Sequence, residues 1–174
     1  LSPDLPRKLI YTGDHAFYAI TKTTIVEMME HYKQEYGLKN FVFRLPNVYL
    51  YHPDKYYYVD CVRKPIAYRY MIDRASKGEP IEMWGNPDAF KDVLYIKDLC
   101  QMMYKALFAE VNGGTYNAGT GIRTTLREQI EGIIQVFSPM NNKSEIIDKP
   151  DGVGFTSFVM DIENARKDLE CHRS

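Results

Sequence analysis

The chain has 174 residues, 45% of them hydrophobic, which is enough apolar material for one folded domain with a buried core. Lys and Arg number 22 against 23 Asp and Glu, so the net charge of −1 argues against a broad basic surface for nucleic acid or a membrane. No uninterrupted apolar stretch is long enough to cross a bilayer. We therefore expect neither a nucleic-acid partner nor a membrane anchor.

The cysteines and the first residues of the chain indicate its redox environment and whether it is part of a longer protein. Cys61, Cys100 and Cys171 are odd in number and widely spaced, without a CxxC pair, which favours reduced thiols in a cytoplasmic protein and no metal site. The first residues lack the apolar segment of a signal peptide, and the chain begins with Leu1 in place of Met. We expect a piece of a longer protein.

Helical and strand-like segments alternate along the sequence. Helical periodicity ends at glycines, and short β-favouring runs follow the helices, as in an α/β fold with parallel strands. The patterns predict, in chain order, a helix over 14–36, a strand over 41–43, a tyrosine-rich loop over 49–58, a helix over 66–77, a strand over 81–84, a strand over 93–96, a helix over 98–109, a strand over 115–118, a helix over 126–137, late strands over 146–147 and 155–159, and a short helix over 161–169.

A tyrosine and a lysine four residues apart, Tyr18 and Lys22, lie in the first predicted helix. Residues at this spacing share one helix face, so the ammonium group can approach the phenol. Free tyrosine titrates near pH ~10, and a neighbouring cation favours the phenolate that a general base requires. The alternative is a lysine that extends past a core tyrosine toward solvent.

The same spacing recurs at Tyr51 and Lys55, but Pro53 lies between them and opposes a continuous helix. Only the first pair is therefore expected to have helical geometry.

Two predicted helices carry apolar stripes that indicate buried faces. The stripe of the first helix begins at Tyr18 and Lys22, and that of the third includes two adjacent methionines, which are expected to fill the core. The stripe residues are Ile25, Met29, Tyr32 and Tyr36 in the first helix, and Leu99, Met102, Met103, Ala106 and Leu107 in the third.

Five motifs in order give the chain a resemblance to a known family. They are Y-x-x-x-K at 18–22, F-R-L-P-N-V-Y at 43–49, K-D-V-L-Y-I-K-D at 91–98, Y-N-A-G-T-G at 116–121 and D-x-x-x-A-x-x-x-L at 161–169. With them the chain resembles the C-terminal portion of the extended short-chain dehydrogenase/reductases, the NAD-dependent nucleotide-sugar epimerases and dehydratases. The resemblance implies that residues 1–174 form the C-terminal part of a Rossmann-type parallel sheet with a small substrate-binding lobe.

The resemblance also implies roles for individual residues. Tyr18 would be the general acid/base on a sugar hydroxyl, while Lys22 would bind the nicotinamide ribose of NAD or NADP and assist ionisation of the tyrosine. Leu45 and Pro46 would approach the nicotinamide.

Three further residues would bind the nucleotide-sugar substrate. The amide of Asn47 would lie near its diphosphate. Lys91 occupies the position at which the family has an arginine. Its ammonium group would contribute a positive charge but not the two parallel N–H donors of a guanidinium group. Trp84 would stack on the base, although a partly buried core tryptophan is an equal alternative.

Several features depart from the family pattern. The glycine-rich dinucleotide loop, G-x-x-G-x-x-G, is absent from these 174 residues, and the Ser or Thr that assists the tyrosine would lie upstream of Leu1, since Thr12 is too close. Residues 50–53 replace the usual Gly-Pro, and the chain stops before the family's final helices. We expect half of an active site, inactive alone, which would not hold NAD by itself.

The leading hypothesis is thus a fragment, whether natural, proteolytic or engineered, of an NAD-dependent nucleotide-sugar epimerase or dehydratase, with a homodimer formed through the Y-x-x-x-K helix. The alternative is a non-catalytic member of the same superfamily that senses a nucleotide. A third hypothesis, a structural domain that binds partners through the tyrosines at 56–58, leaves the ordered motifs unexplained. The sequence leaves the sugar, the nucleotide and the reaction open.

Overall fold

The computed structural model describes residues 1–6, 9–13, 15–59, 61–152 and 156–170, which fall into two compact units. The first comprises Leu1–Val48, Val93–Gly121 and Met160–Ser174, and the second comprises Tyr49–Asp92 and Ile122–Val159. The elements are α1 (Ala16–Tyr36), β1 (Asn40–Arg44), β2 (Asn47–Tyr49), β3 (Tyr56–Val59), β4 (Val62–Pro65), α2 (Ala67–Lys77), β5 (Ile81–Trp84), β6 (Phe90–Lys91), β7 (Val93–Tyr95), α3 (Ile96–Phe108), β8 (Gly113–Asn117), β9 (Thr124–Thr125), α4 (Leu126–Phe137), β10 (Ile146–Lys149) and α5 (Glu163–Leu169).

The first unit is built on a pair of parallel strands. β1 pairs with β8 in a register that places Asn40 beside Gly113 and Arg44 beside Asn117, so the carboxyl ends of both strands lie together. α1 packs on β1, and α5 packs on β8 and α3. The core beneath them consists of Leu94, Leu99, Met102, Ala106, Tyr116, Ala118, Ala165 and Leu169.

The second unit also contains a parallel pair, β5 with β10. Two antiparallel pairs, β3 with β4 and β6 with β9, accompany it. α2 and α4 pack against each other and against β5, around a core of Ala75, Ile81, Met83, Ile130 and Ile133. The expected α/β fold with parallel strands is confirmed.

Local chemistry explains where the main helices stop and start. α1 and α2 end at Gly37 and Gly78, which adopt left-handed conformations with φ of 67° and 68°. α4 begins with a complete capping box, in which the Thr125 hydroxyl accepts from the Glu128 amide and the Glu128 carboxylate accepts from the Thr125 amide. None of the helices in the described ranges is long and apolar enough to cross a membrane.

Two element predictions require correction. The predicted loop over 49–58 contains most of strand β3, which forms a hairpin with β4. The predicted strand over 155–159 is not present at 156–159, and Phe155 lies outside the described residues.

The predicted buried stripes are also partly wrong. On α3, Leu99, Met102 and Ala106 are buried, but Met103 and Leu107 are 52% and 79% exposed. On α1, Tyr18, Ile25, Tyr32 and Tyr36 are between 47% and 63% exposed, and Ala16 is the buried residue of that helix. The periodicity identified apolar faces, but the described residues that pack on α1, chiefly those of β1, leave much of its stripe exposed.

A glycine-to-alanine substitution in β8 tests the β1–β8 pairing, and one in α4 serves as a comparison. Gly113 has a φ of 80°, and a Cβ there would clash with the Asn40 carbonyl group, so Gly113→Ala should lower the free energy of unfolding by about 2 kcal/mol or more. Gly132 lies in α4 with open space around it, and Gly132→Ala should raise stability by about 0.5–1 kcal/mol. Urea denaturation measures both. A Gly113→Ala variant as stable as the unsubstituted chain would contradict this register.

Candidate functional site

Tyr18 and Lys22 lie one turn apart near the start of α1, on the same face. The Lys22 ammonium nitrogen is 5.6 Å from the centroid of the Tyr18 ring, within the range of a cation–π contact. Tyr18 is 63% exposed. The structure thus brings the two residues together and leaves the hydroxyl accessible, while their catalytic role remains a prediction.

The second tyrosine–lysine spacing, at Tyr51 and Lys55, has a different structure. Both residues precede β3 in a non-helical segment. The Lys55 ammonium group donates to both carboxylate oxygens of Asp73, at 2.7 and 2.6 Å. Because Lys55 is engaged elsewhere, this pair does not reproduce the arrangement on α1.

A groove of about 510 Å³ lies between α1 and β1 in the first unit. Tyr18 and Lys22 line its helical side, and Leu45 lines it just beyond the end of β1. Most of the remaining lining residues are apolar. The flat ring of a ligand could therefore lie against β1 while the polar groups of that ligand face α1. The other lining residues are Thr23, Ile25, Val26, Met29, Phe41, Val42, Phe43, Arg44 and Thr115.

The remaining candidates of this unit follow the carboxyl end of β1, where open α/β sheets commonly bind ligands. Leu45 is 49% exposed, Pro46 is half-buried, and Asn47 is exposed at the start of β2. Pro46 and Asn47 do not line the groove. Of these three residues, only Leu45 lines it together with Tyr18 and Lys22.

Two strand-end residues have structural roles that the sequence did not reveal. Arg44, at the end of β1, donates from Nη2 to the Leu5 carbonyl oxygen at 3.1 Å. Asn117, buried at the end of β8, donates from Nδ2 to the carbonyl oxygens of Leu1 and Asp161, at 2.7 and 2.9 Å. Together they hold the first residues of the chain at the strand ends.

The second unit carries the other two candidates. Lys91 lies in β6, paired with Thr124 of β9, and burial lowers the pKa of its ammonium group. Trp84 ends β5 with 55% of its side chain exposed, and its indole N–H donates to the Glu82 carboxylate at 3.1 Å. A half-exposed tryptophan is compatible with stacking and is not a core residue.

The candidate substrate-binding residues are therefore divided between the units, with Asn47 in the first and Trp84 and Lys91 in the second. Their convergence on one diphosphate stays a prediction. Within the described ranges, no group of three or more His, Cys, Asp or Glu side chains is arranged to hold a metal ion.

Curated relatives and solved structures resemble this chain over part of their length. The chain is 26% identical to dTDP-glucose 4,6-dehydratase of Escherichia coli over 138 residues, which are 78% of this chain and 34% of that protein. It superposes on UDP-glucose 4-epimerase of Thermotoga maritima, solved with UDP-glucose, with a TM-score of 0.71 and 24% identity, covering 88% of this chain and 47% of the epimerase.

A third protein is UDP-glucuronic acid 4-epimerase of Bacillus cereus, solved in complex with NAD, with a TM-score of 0.70 and 19% identity over 100% of this chain and 50% of the epimerase. The chain thus spans about a third of the dehydratase and about half of each epimerase, and it shares the Rossmann-type fold of the latter. A sequence profile matches residues 6–119, two-thirds of the chain, and identifies the family. The chain belongs to the NAD-dependent epimerase/dehydratase family.

Proposed function

We propose that this chain is the part of an NAD-dependent nucleotide-sugar epimerase or dehydratase that carries the acid–base tyrosine and part of the substrate site. The observation that supports this proposal best is the Tyr18–Lys22 pair, which lies at 5.6 Å beside a groove that also reaches Leu45 at a strand end. A core tyrosine would be buried, whereas this one offers its hydroxyl to solvent.

In this proposal Tyr18 moves the proton of the reaction. Its phenolate takes the proton from a sugar hydroxyl as the carbon bearing that hydroxyl becomes a carbonyl, and the phenol later returns it. The Lys22 ammonium group stabilises the negative charge on the phenolate oxygen and binds the nicotinamide ribose through its remaining N–H groups. NAD, when bound, accepts the hydride that leaves the same carbon. Leu45 and Pro46 form an apolar surface against the nicotinamide.

The substrate would be a nucleoside diphosphate sugar. The Asn47 amide donates to a diphosphate oxygen, and the Lys91 ammonium group neutralises part of the diphosphate charge. The exposed face of Trp84 accepts the base by stacking. Asn47 and Lys91 both bind the diphosphate and Trp84 binds the base, so replacing Trp84 should affect a different part of the ligand from replacing either of the other two.

We propose further that two copies associate through α1. Met28, Tyr32 and Tyr36, which do not line the groove, present exposed apolar surface along this 21-residue helix. Exposed apolar patches of this kind mark association sites. Sedimentation of the chain tests the proposal, because a monomer at high concentration would contradict it.

A non-catalytic member of the same superfamily that senses a nucleotide is the second candidate. The residues that precede this chain in its parent discriminate the two functions. A glycine-rich loop and an upstream Ser or Thr there would support the enzyme, and their absence would support the sensor.

The isolated chain should bind NAD at least about 100-fold more weakly than the intact parent. The reason is that Tyr18, Lys22, Leu45 and Pro46 address only the nicotinamide side, whereas the diphosphate of NAD needs a glycine loop at a helix N-terminus. Calorimetric titration of both proteins measures the difference. Micromolar affinity of the isolated chain for NAD would show that the missing loop is not required.

A further inference from the structure

The two residues of strand β9 are each hydrogen-bonded to a side chain from the start of α4. Thr124 lies opposite Lys91 of β6, and a strand pair this short depends on neighbouring groups for its position. Thr125 forms the capping box with Glu128. Gln129, the next residue of α4, donates from Nε2 to the Thr124 carbonyl oxygen at 3.1 Å. The backbone opposite Lys91 is thus tied to the side chain of Gln129.

The other end of the Gln129 amide is hydrogen-bonded as well. The Tyr49 hydroxyl donates to Oε1 of Gln129 at 3.0 Å, and both residues are half-buried. Burial, and to a lesser extent the nearby Tyr68, raises the pKa of the Tyr49 phenol to about 12, so its hydroxyl keeps the donated proton at neutral pH. Because both ends of the amide are engaged, the Gln129 side chain has one favoured orientation.

The Tyr49 ring has little freedom to move away from Gln129. It stacks on the Tyr68 ring with a centroid distance of 4.3 Å and an interplanar angle of 16°. The Tyr68 hydroxyl in turn donates to the Leu50 carbonyl oxygen at 2.8 Å and accepts from the Leu50 amide at 3.3 Å. All of these residues belong to the second unit, as does Lys91.

We propose that Gln129 is a positioning residue for Lys91, because its amide joins the Thr124 carbonyl group opposite Lys91 to the Tyr49 hydroxyl. Gln129 acts without touching the ligand: it keeps β9, and with it β6, where the Lys91 side chain is half-buried. Connected hydrogen bonds away from solvent make the groups that they join rigid. The inference rests on the proposed function, in which Lys91 binds the diphosphate.

Gln129→Met keeps the length of the side chain and removes both hydrogen bonds. Without them β9 should move relative to β6 and water should reach Lys91. The pKa of the Lys91 ammonium group should then rise toward the ~10.4 of a free lysine, because burial is what lowers it. Nuclear magnetic resonance of the labelled chain measures this pKa from the Lys91 side-chain signal, which is identified by its loss in Lys91→Ala.

Affinity in the intact parent gives the second readout. For a nucleotide sugar verified as a substrate, Gln129→Met should weaken binding by about three- to tenfold at neutral pH, the size expected for lost hydrogen bonds. The affinity for the bare nucleoside should stay unchanged, and the loss of nucleotide-sugar affinity with rising pH should occur at higher pH. Tyr49→Phe removes one of the two hydrogen bonds and should change each quantity in the same direction by less.

Gln135→Met is the matched control, because Gln135 lies on the same helix and is exposed. It should leave the Lys91 pKa and both affinities unchanged. The proposal fails if Gln129→Met and Tyr49→Phe, both folded by circular dichroism, leave the Lys91 pKa as it is in the unsubstituted chain. It also fails if they weaken nucleotide-sugar and nucleoside binding equally, since Gln129 would then only support the fold.

Two further outcomes keep the test decisive. If Gln129→Met does not fold, the milder Tyr49→Phe decides by the same criteria. If Lys91→Ala retains full affinity for the nucleotide sugar, the proposed role of Lys91 is wrong. The pKa measurement needs no ligand, so it would still decide whether Gln129 positions Lys91.

Discussion

Replacing Tyr18 with phenylalanine in the intact parent should lower kcat by about 10²–10⁴-fold and leave nucleotide-sugar affinity largely unchanged. Only the proton-transferring hydroxyl is removed, while the ring beside Lys22 is kept. The ring is 63% exposed, so the substitution should not disturb the core. Turnover of a nucleotide sugar verified as a substrate of the parent gives kcat, and calorimetry with the same ligand gives the affinity.

Two further variants on α1 make this result specific. Lys22→Met should lower both NAD affinity and kcat, because the cation is proposed to bind the ribose as well as to stabilise the phenolate. Tyr32→Phe is the matched control, since Tyr32 lies on the same helix, contacts His31 and Tyr36, and is absent from the lining of the groove. If Tyr18→Phe retains near-full turnover, as Tyr32→Phe should, Tyr18 is not the acid–base residue.

The sequence predicted best those elements whose ends are specified locally. α4 has the predicted bounds, 126–137, and Thr125 with Glu128 forms the capping box at its start. β5 likewise has the predicted bounds, 81–84, and ends at Gly85, which has a φ of 91°. In both cases the residues that determine the boundary lie within a few positions of it.

The hairpin of β3 and β4 was missed because its turn lacks the usual signal. β3 pairs with β4 as far as Val59 and Val62, and hairpin turns usually contain glycine or asparagine. Here Cys61 takes the positive φ, at 60°, which a sequence pattern does not anticipate for cysteine. The three tyrosines before it have strong β propensity, and this was the available signal.

Exposure of apolar stripes could not be predicted for a different reason. Periodicity shows which side of a helix is apolar, but not which polypeptide covers that side. Leu107 of α3 fits the buried spacing as well as Ala106 does, yet it is 79% exposed and Ala106 is 6% exposed. The apolar stripe on α1 is exposed in the same way.

In the candidate site, too, contacts between residues close in sequence could be predicted, and contacts between residues far apart in sequence could not. The Tyr18–Lys22 contact follows from helix geometry alone. The roles of Arg44 and Asn117 were hidden because their acceptors are backbone carbonyl groups up to 116 positions away, which no residue pattern encodes. Family motifs included both residues without indicating that they hold the first residues of the chain.

Lys91→Ala should weaken binding of a nucleoside diphosphate sugar by about 10–100-fold and leave binding of the bare nucleoside unchanged. Only the diphosphate carries the charge that Lys91 is proposed to neutralise. Calorimetry on the intact parent with UDP-glucose and uridine measures the two affinities. Lys97→Ala is the matched control, because Lys97 belongs to the same sequence motif but is exposed on α3.

The pH dependence of this affinity adds a readout that a purely structural lysine would not give. Burial lowers the pKa of Lys91 below the ~10.4 of a free lysine, and only the protonated form attracts the diphosphate. Affinity should therefore fall as the pH rises through this lowered pKa, at lower pH than for an exposed lysine. The dependence should disappear in Lys91→Ala and persist in Lys97→Ala. Equal losses of affinity for UDP-glucose and uridine would show that Lys91 supports the β6–β9 pairing and does not bind phosphate.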